Sequence, residues 1–368
     1  MTLFWRIFWI TSLAALAACT PRGIVSVFPE AALVGQVRSI FVGSTRGMNP
    51  DGSFNKTRAE NLSFHRYDVS IPPDRKPGKI TWPGSNPDPK KHFLTTGINH
   101  FSSAHGFEKH LSQTLKSLPP KQREVVVFVH GFNNSFAEGL YRFAQLTNDL
   151  ALPNPTVHYS WPSAANPLGY VYDRDSALFA RDGLEEMLKT IKAAGGKKIL
   201  LVGHSMGSLL VMETLRQMAI ENPRGFADYF SGIILISPDI DIDLFHQQAA
   251  KIGDLPQPFA IFISQKDRAL RLSARLSGKH KRLGNIRNVS ELAELQVTLI
   301  DVTNFYGSPS GHFTAATSPA LLRILGKVGN VDAAFRNDRT GRAGLLPGTI
   351  LTVQKATHII LSPATAAQ

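Results

Sequence analysis

The chain has 368 residues, with 40 Lys and Arg against 28 Asp and Glu, a formal net charge of +12 and 43% hydrophobic residues. That length and apolar share suit one large α/β unit or two domains, and they exclude a mostly disordered chain. The positive charge suits an anionic surface, but Lys90-Lys91, Lys197-Lys198 and Lys279-His280-Lys281-Arg282 are dispersed between apolar elements without interleaved aromatics. This pattern argues against a nucleic-acid groove, so nucleic acid is not expected as a partner.

Residues 1–18 read as an export signal: Arg6 precedes an apolar run from Ile7 to Ala18 that is short for a membrane-spanning helix. The run closes on Leu16-Ala17-Ala18-Cys19, which resembles the lipobox of bacterial lipoproteins, with Cys19 as the acylated first residue of the mature chain. The other readings are a plain signal with an incidental cysteine, or an uncleaved anchor. Cys19 is the single cysteine, so no intrachain disulfide competes for it. Thr20 rather than aspartate follows, and by the same resemblance this implies an outer-membrane protein facing the periplasm, held by two or more acyl chains.

Residues 19–37 are expected as a tether and residues 38–335 as the folded domain. Arg38 to Arg46, RSIFVGSTR, reads as a strand, Asp51-Gly52 as a turn, and LSFHRYDVSI and KKHFLTT as short strands parted by a proline- and glycine-rich loop. Val125 to Val129 are all apolar, the pattern of a strand buried on both faces. Phe136, Leu140, Phe143 and Ala144 then keep a helical period. A strand from Thr156 runs to a proline stop, and the segment 173–196 predicts one helix closed by Gly195-Gly196. KKILLVGHS is a strand, and the helix after it places Leu209, Met212, Leu215 and Met218 on one side. SGIILISPD, FAIFISQKD and LQVTLIDVT complete the strands. Such alternation predicts a mostly parallel sheet with helices on both faces, and an active site outside the carboxyl ends of the strands. Residues 336–368 are expected as a C-terminal tail.

Within this frame Gly203-His204-Ser205-Met206-Gly207 is a G-x-S-x-G turn between a strand and a helix. Gly203 and Gly207 allow the helix to pack closely while Ser205 takes a strained positive φ, which holds its hydroxyl above the sheet edge. With these residues the chain resembles the α/β-hydrolase superfamily over roughly residues 120–320. It is similar, more narrowly, to a bacterial family of α/β hydrolases sharing segments like FVGSTR, FVHGFNNSF and LVGHSMGS. The resemblance implies an α/β-hydrolase fold with Ser205 as nucleophile and the backbone N–H groups of Phe132 and Met206 as oxyanion donors. Gly131 would let the loop pass close to substrate. His130 would brace that loop, and His204 would point away from the nucleophile.

The superfamily carries its remaining catalytic groups in the order serine, acid, histidine. Asp267 follows the strand ending at Ser264, where the superfamily usually keeps its acid; Asp239, first of the cluster Asp239, Asp241 and Asp243, is the alternative. His312, in a glycine- and serine-rich loop after the last core strand, is the base. His280 lies in a basic stretch and His358 in the tail. The segment Trp161 to Asp173, with Trp161, Tyr170 and Tyr172, is either a small aromatic lid or packing. No metal site and no organic cofactor are implied. The expectation is an esterase or lipase acting through an acyl-enzyme on a small-molecule or lipid ester at the cell envelope; an amidase or peptidase, or a noncatalytic envelope lipoprotein, are the other readings.

Overall fold

A computed structural model describes residues 22–152, 155–278, 280–305, 307, 310–327 and 348–361. Strands β1 (Gln36–Met48), β2 (Phe54–Ile71) and β3 (Leu94–Phe101) form an antiparallel meander, with the Asp51-Gly52 turn between the first two. After helix α1 (Ala104–Lys116) the chain alternates through β4 (Glu124–Val129), α2 (Phe136–Asp149) and β5 (Thr156–Ser160). Next come α3 (Tyr170–Phe179), α4 (Arg181–Ala193), β6 (Lys198–His204) and α5 (Met206–Glu221). These are followed by β7 (Phe230–Ile236), α6 (Ile242–Ile252), β8 (Phe259–Ile263), α7 (Arg268–Leu276) and β9 (Thr298–Asp301). The chain closes with α8 (Thr314–Thr317), α9 (Pro319–Lys327), β10 (Gly348–Val353) and β11 (Ala356–Leu361).

The described residues make one 11-stranded sheet of order β10-β11-β9-β8-β7-β6-β4-β5-β1-β2-β3. Pairing is parallel from β11 through to β1 and antiparallel at both edges. Successive side chains of a strand leave opposite faces. Val125, Val127 and Val129 therefore join α4, α5 and α6 in one core, while Val126 and Phe128 join Phe136, Leu140 and Phe143 of α2 in the other. With both faces covered, this is the helix-flanked, mostly parallel sheet that the alternation predicts and the α/β-hydrolase fold that the resemblance implies. Every parallel strand ends on the same edge of the sheet, and the loops there hold residues 130–135, 205, 237–241, 264–267, 302–305 and 310–313.

Three segments differ from the sequence reading. The helix predicted over 173–196 begins earlier, at Tyr170, and breaks at Ala180, whose carbonyl also accepts from the buried Tyr159 hydroxyl at 2.6 Å. A side chain entering the helical ladder is a common cause of such a break, and periodicity does not reveal it. Part of the expected tether is packed: Phe28 N and Thr95 N bond to Thr95 O and Ser26 O at 2.8 and 2.9 Å, and Ala31 is buried under the Ser70 hydroxyl. Residues 19–21 lie outside the described residues. Within the expected tail, β11 pairs with β9, and Ala356, Ile359 and Leu361 are fully buried. Short, strongly apolar β11 is long enough to extend a sheet but too short to stand out by period alone. His358 consequently lies in the sheet, with Nε2 3.7 Å from Asp301 Oδ2.

The fold buries histidines as neutral rings. Burial, the larger cause, and the neighbouring His100 push His65 down to about 4; burial pushes His158 down to about 3. Above the ordinary imidazole value of 6.5 the folded and unfolded chains are both neutral at these sites, and the stability is fully present. As pH falls below that value the unfolded chain takes up protons that the folded chain refuses, so stability is lost. The loss is up to roughly 1.4 kcal/mol per histidine per pH unit. The urea midpoint should therefore fall between pH 7 and pH 5, while the His158 ring stays neutral by NMR. A His158 signal titrating near the ordinary imidazole value would contradict this.

Candidate functional site

Ser205 sits where β6 turns into α5, at φ 54 and ψ −121, and is 3% exposed. A residue with a Cβ pays for positive φ, so something must hold it there. The turn is pinned from the neighbouring strand: Ser205 N donates to Ile236 O at 2.9 Å and Asp239 N to Ser205 O at 3.2 Å. It is also pinned by proximity. A Cβ added at Gly207 would lie 2.3 Å from His130 O, and one at Gly203 would lie 2.9 Å from Ser208 Cα. At Gly131 an added Cβ would meet Ser205 Cβ at 2.8 Å and His204 Nδ1 at 2.6 Å. Gly207 and Gly131 let the loop after β4 and the turn after β6 come into contact, and Gly203 lets the turn close on Ser208.

Met206 opens α5, and the first amides of a helix lack an intrahelical acceptor while carrying the positive end of its dipole. The facing loop, His130 to Asn134, is tied down by its carbonyls. Asn134 Nδ2 donates to Gly131 O at 3.1 Å and to Phe132 O at 2.8 Å, and His130 Nδ1 lies 2.9 Å from Gly131 O. The His130 ring, 1% exposed and kept neutral chiefly by burial, stacks on Trp161 at 4.9 Å. Its Nδ1 faces Gly131 O and its Nε2 lies 3.1 Å from Trp161 O and 3.4 Å from Arg46 Nη2, so either neutral tautomer donates to a carbonyl beside the loop. His130 thus braces the loop.

Behind the loop is a buried polar network absent from the sequence reading. Arg46, 2% exposed, donates to Ser160 Oγ at 2.9 Å, Ser163 O at 3.0 Å and Asn134 O at 2.8 Å. Asp173, fully buried, accepts from Ser163 Oγ and Ala164 N at 2.6 Å each and from Asn133 N at 3.1 Å. Burial lowers Arg46 to about 10 and raises Asp173. The signal was present in the segments FVGSTR, which carries Arg46, and FVHGFNNSF, which carries His130, Asn133 and Asn134. Their contact, across more than 80 residues of chain, was not readable.

Asp267 follows β8, is fully buried, and divides its carboxylate between two tasks. Oδ1 caps α7 by accepting from Leu270 N at 2.9 Å, and Oδ2 accepts from His312 Nδ1 at 2.7 Å. Asp239 instead belongs to another buried group. Its oxygens accept from Ser273 Oγ at 2.5 Å and Tyr170 OH at 3.1 Å, and Arg282 Nε lies 3.3 Å away. Asp239 is thus occupied elsewhere, and the carboxylate beside His312 is that of Asp267.

His204 departs from expectation. Rather than pointing away, its ring packs on Phe313, with centroids 3.8 Å apart, and lies 5.0 Å from the His312 ring. Burial foremost, then the charges of His312 and Arg142, hold it well below the usual imidazole value. The small side chain space at Gly131 admits the ring next to the elbow. Nor do the aromatic residues after β5 form a lid: Trp161 is fully buried and donates to His130 O at 2.7 Å, and Tyr170 packs edge-on against Phe132. His280 is 61% exposed, near Asp241. Asp241, Asp243 and His280 bring possible ligand atoms within 4.8 Å at the surface, a grouping that sequence spacing did not suggest. Asp241 already caps α6.

A cavity of about 650 Å³ opens beside His312, lined also by His204, Phe132, Phe313, Arg22 and Arg142. Its walls are neither wholly apolar nor wholly polar. No helix among the described residues is long and apolar enough to cross a membrane. Cys19 lies outside the described residues.

Comparison with known proteins matches residues 103–328 to a family described as "Alpha/beta hydrolase of unknown function" (DUF900). Among solved structures, lipase B of Aspergillus fumigatus is 14% identical over 64% of this chain and 59% of its own, with a TM-score of 0.36. The catalytic core of acetyl xylan esterase from Trichoderma reesei is 13% identical over 59% and 98%, with a TM-score of 0.32. An esterase from Pyrococcus furiosus is 11% identical over 77% and 89%, also with a TM-score of 0.32. At these similarities the likenesses bear on neither mechanism nor substrate. No curated protein matches.

Proposed function

The chain belongs to this family of α/β hydrolases of unknown function, and on that footing we propose that it is a serine hydrolase cleaving carboxylic esters through an acyl-enzyme. The observation that carries the reading is the 2.7 Å bond from His312 Nδ1 to buried Asp267, in the loops that flank the Ser205 elbow. With Nδ1 committed to the carboxylate, Nε2 is the nitrogen available to take the Ser205 proton. The hydroxyl oxygen attacks the ester carbonyl carbon, and the amides of Phe132 and Met206 receive the oxyanion. Collapse expels the alcohol, which takes the proton from His312. Water, deprotonated by the same ring, then attacks the acyl-enzyme and releases the acid and Ser205. An ester asks least of this machinery, because an alkoxide departs with less proton assistance than an amine.

We further propose an envelope location, with Cys19 acylated at the outer membrane. The LAAC sequence motivates it, and the packing of Arg22 gives it a consequence. Arg22 donates to Asn133 Oδ1 at 2.7 Å and to Ala165 O at 2.7 Å on the rim of the cavity. Two residues, Thr20 and Pro21, separate it from Cys19, and three chain steps span at most about 11 Å, so an acylated Cys19 would keep the cavity mouth close to the lipid surface. Cys19→Ser should abolish incorporation of radiolabelled palmitate; a variant that still carries label would remove this part of the proposal.

The acid assignment has a direct kinetic test. Asn caps a helix about as well as Asp, so Asp267→Asn should keep α7 while leaving the His312 ring without its charged partner. Its kcat on an activated ester should fall by at least roughly 100-fold. Asp239→Asn should cost less than about 10-fold in kcat, its effect appearing instead as lost stability through buried Arg282. Circular dichroism of both variants checks folding. The reverse ranking of kcat would move the acid to Asp239.

A further inference from the structure

The cavity beside His312 holds two guanidinium groups and one carboxylate, and only one of the guanidinium groups is neutralised. Arg22 is paired with Glu138, whose carboxylate also closes the capping box of α2 through Ser135 N. Arg142, one helical turn further along α2, has no carboxylate within ion-pair distance among the described residues. It is held by two neutral acceptors, Gly78 O at 3.2 Å and Gln145 Oε1 at 2.7 Å. Both bonds use Nη1, so Nε and Nη2 have no protein acceptor among the described residues. Nearby Asp149 is taken up by Arg75, Gly78 N and Gln145 Nε2.

The position of this cation relative to the chemistry follows from ring packing. Its guanidinium carbon lies 5.5 Å from the centre of the Phe313 ring, Phe313 stacks on His204, and His204 meets His312. By these contacts two rings, Phe313 and His204, stand between the charge and the proposed base, and all four residues line the same cavity. Burial lowers Arg142 only to about 10, so it remains protonated at neutral pH. Arg142 is half-buried on the cavity wall, and a cation held there by neutral acceptors keeps donors for the counter-charge of a ligand.

We propose that Arg142 is a specificity residue that receives an oxyanion of the substrate, so that the preferred esters carry a carboxylate or phosphate group. This rests on the esterase reading of the Ser205 site. The guanidinium offers Nε and Nη2 as a two-pronged donor, the geometry that suits carboxylate and phosphate oxygens. The Phe313 ring packs against the guanidinium as a cation–π neighbour.

Two measurements test the inference. The first is the ratio of kcat/KM for the mono-4-nitrophenyl ester of succinic acid to that for 4-nitrophenyl acetate. The wild-type ratio should exceed that of Arg142→Gln by roughly 10-fold or more, the scale of a charge-assisted hydrogen bond, and Arg142→Lys should recover part of it. An unchanged ratio would overturn the proposal. The second measurement does not depend on turnover: calorimetric binding of monomethyl succinate and of glycerol 3-phosphate to Ser205→Ala protein. At least one should bind, more weakly once Arg142→Gln is added, and the tighter of the two identifies the anion. If neither binds, or if Arg142→Gln leaves binding unchanged, the anion site is refuted whatever the turnover. If binding behaves as expected while no ester is hydrolysed, the esterase reading fails and the anion site stands.

Discussion

The site depends on how closely the loop after β4 passes the turn after β6. At Gly207 and Gly131 the two backbones approach so nearly that an added methyl group would fall 2.3 Å from His130 O or 2.8 Å from Ser205 Cβ. This contact sets the elbow above the sheet edge and keeps Ser205 at positive φ. Strain of this kind costs of the order of 1–3 kcal/mol and persists only where its surroundings over-determine it. Here the surroundings are the parallel strands β4, β6 and β7, whose hydrogen bonds fix both sides of the contact.

Neutral and charged polar groups then share the work of holding the loop. Arg46 comes from the antiparallel meander, Ser163 and Asp173 from the segment after β5, and His130 from the loop itself. Because Arg46 reaches carbonyls on both sides, the meander is part of the site's support and not an appendage to the sheet. It also explains why FVGSTR and FVHGFNNSF are both informative, although they lie in separate elements. The carboxylate of Asp173 fixes the same loop from beneath by accepting from Asn133 N.

What the sequence disclosed and what it withheld follow a physical division. Ser205, Asp267 and His312 could be singled out as candidates because each follows a recognisable apolar strand, and the parallel sheet delivers all such loops to one edge. Between Asp267 and Asp239 the sequence offered only chain position, which favours Asp267, since both follow buried strands. The distinction lies in Tyr170, Ser273 and Arg282, which reach Asp239 from distant parts of the chain. The break at Ala180 and the burial of Arg46 were hidden for the same reason, each depending on a side chain far along the sequence. His204 was misread because its neighbour on the cavity side, Phe313, belongs to another loop. β11 was missed because six residues are too few to show a period, and its place is set by pairing with β9.

The central claim is that Ser205 is the group held ready to react. Treatment of the folded protein with a fluorophosphonate, followed by intact-mass and peptide mass spectrometry, addresses it without any assumption about substrate. The account predicts one phosphonyl group per chain, located on Ser205. An unmodified chain, or an adduct placed on another residue, would contradict it.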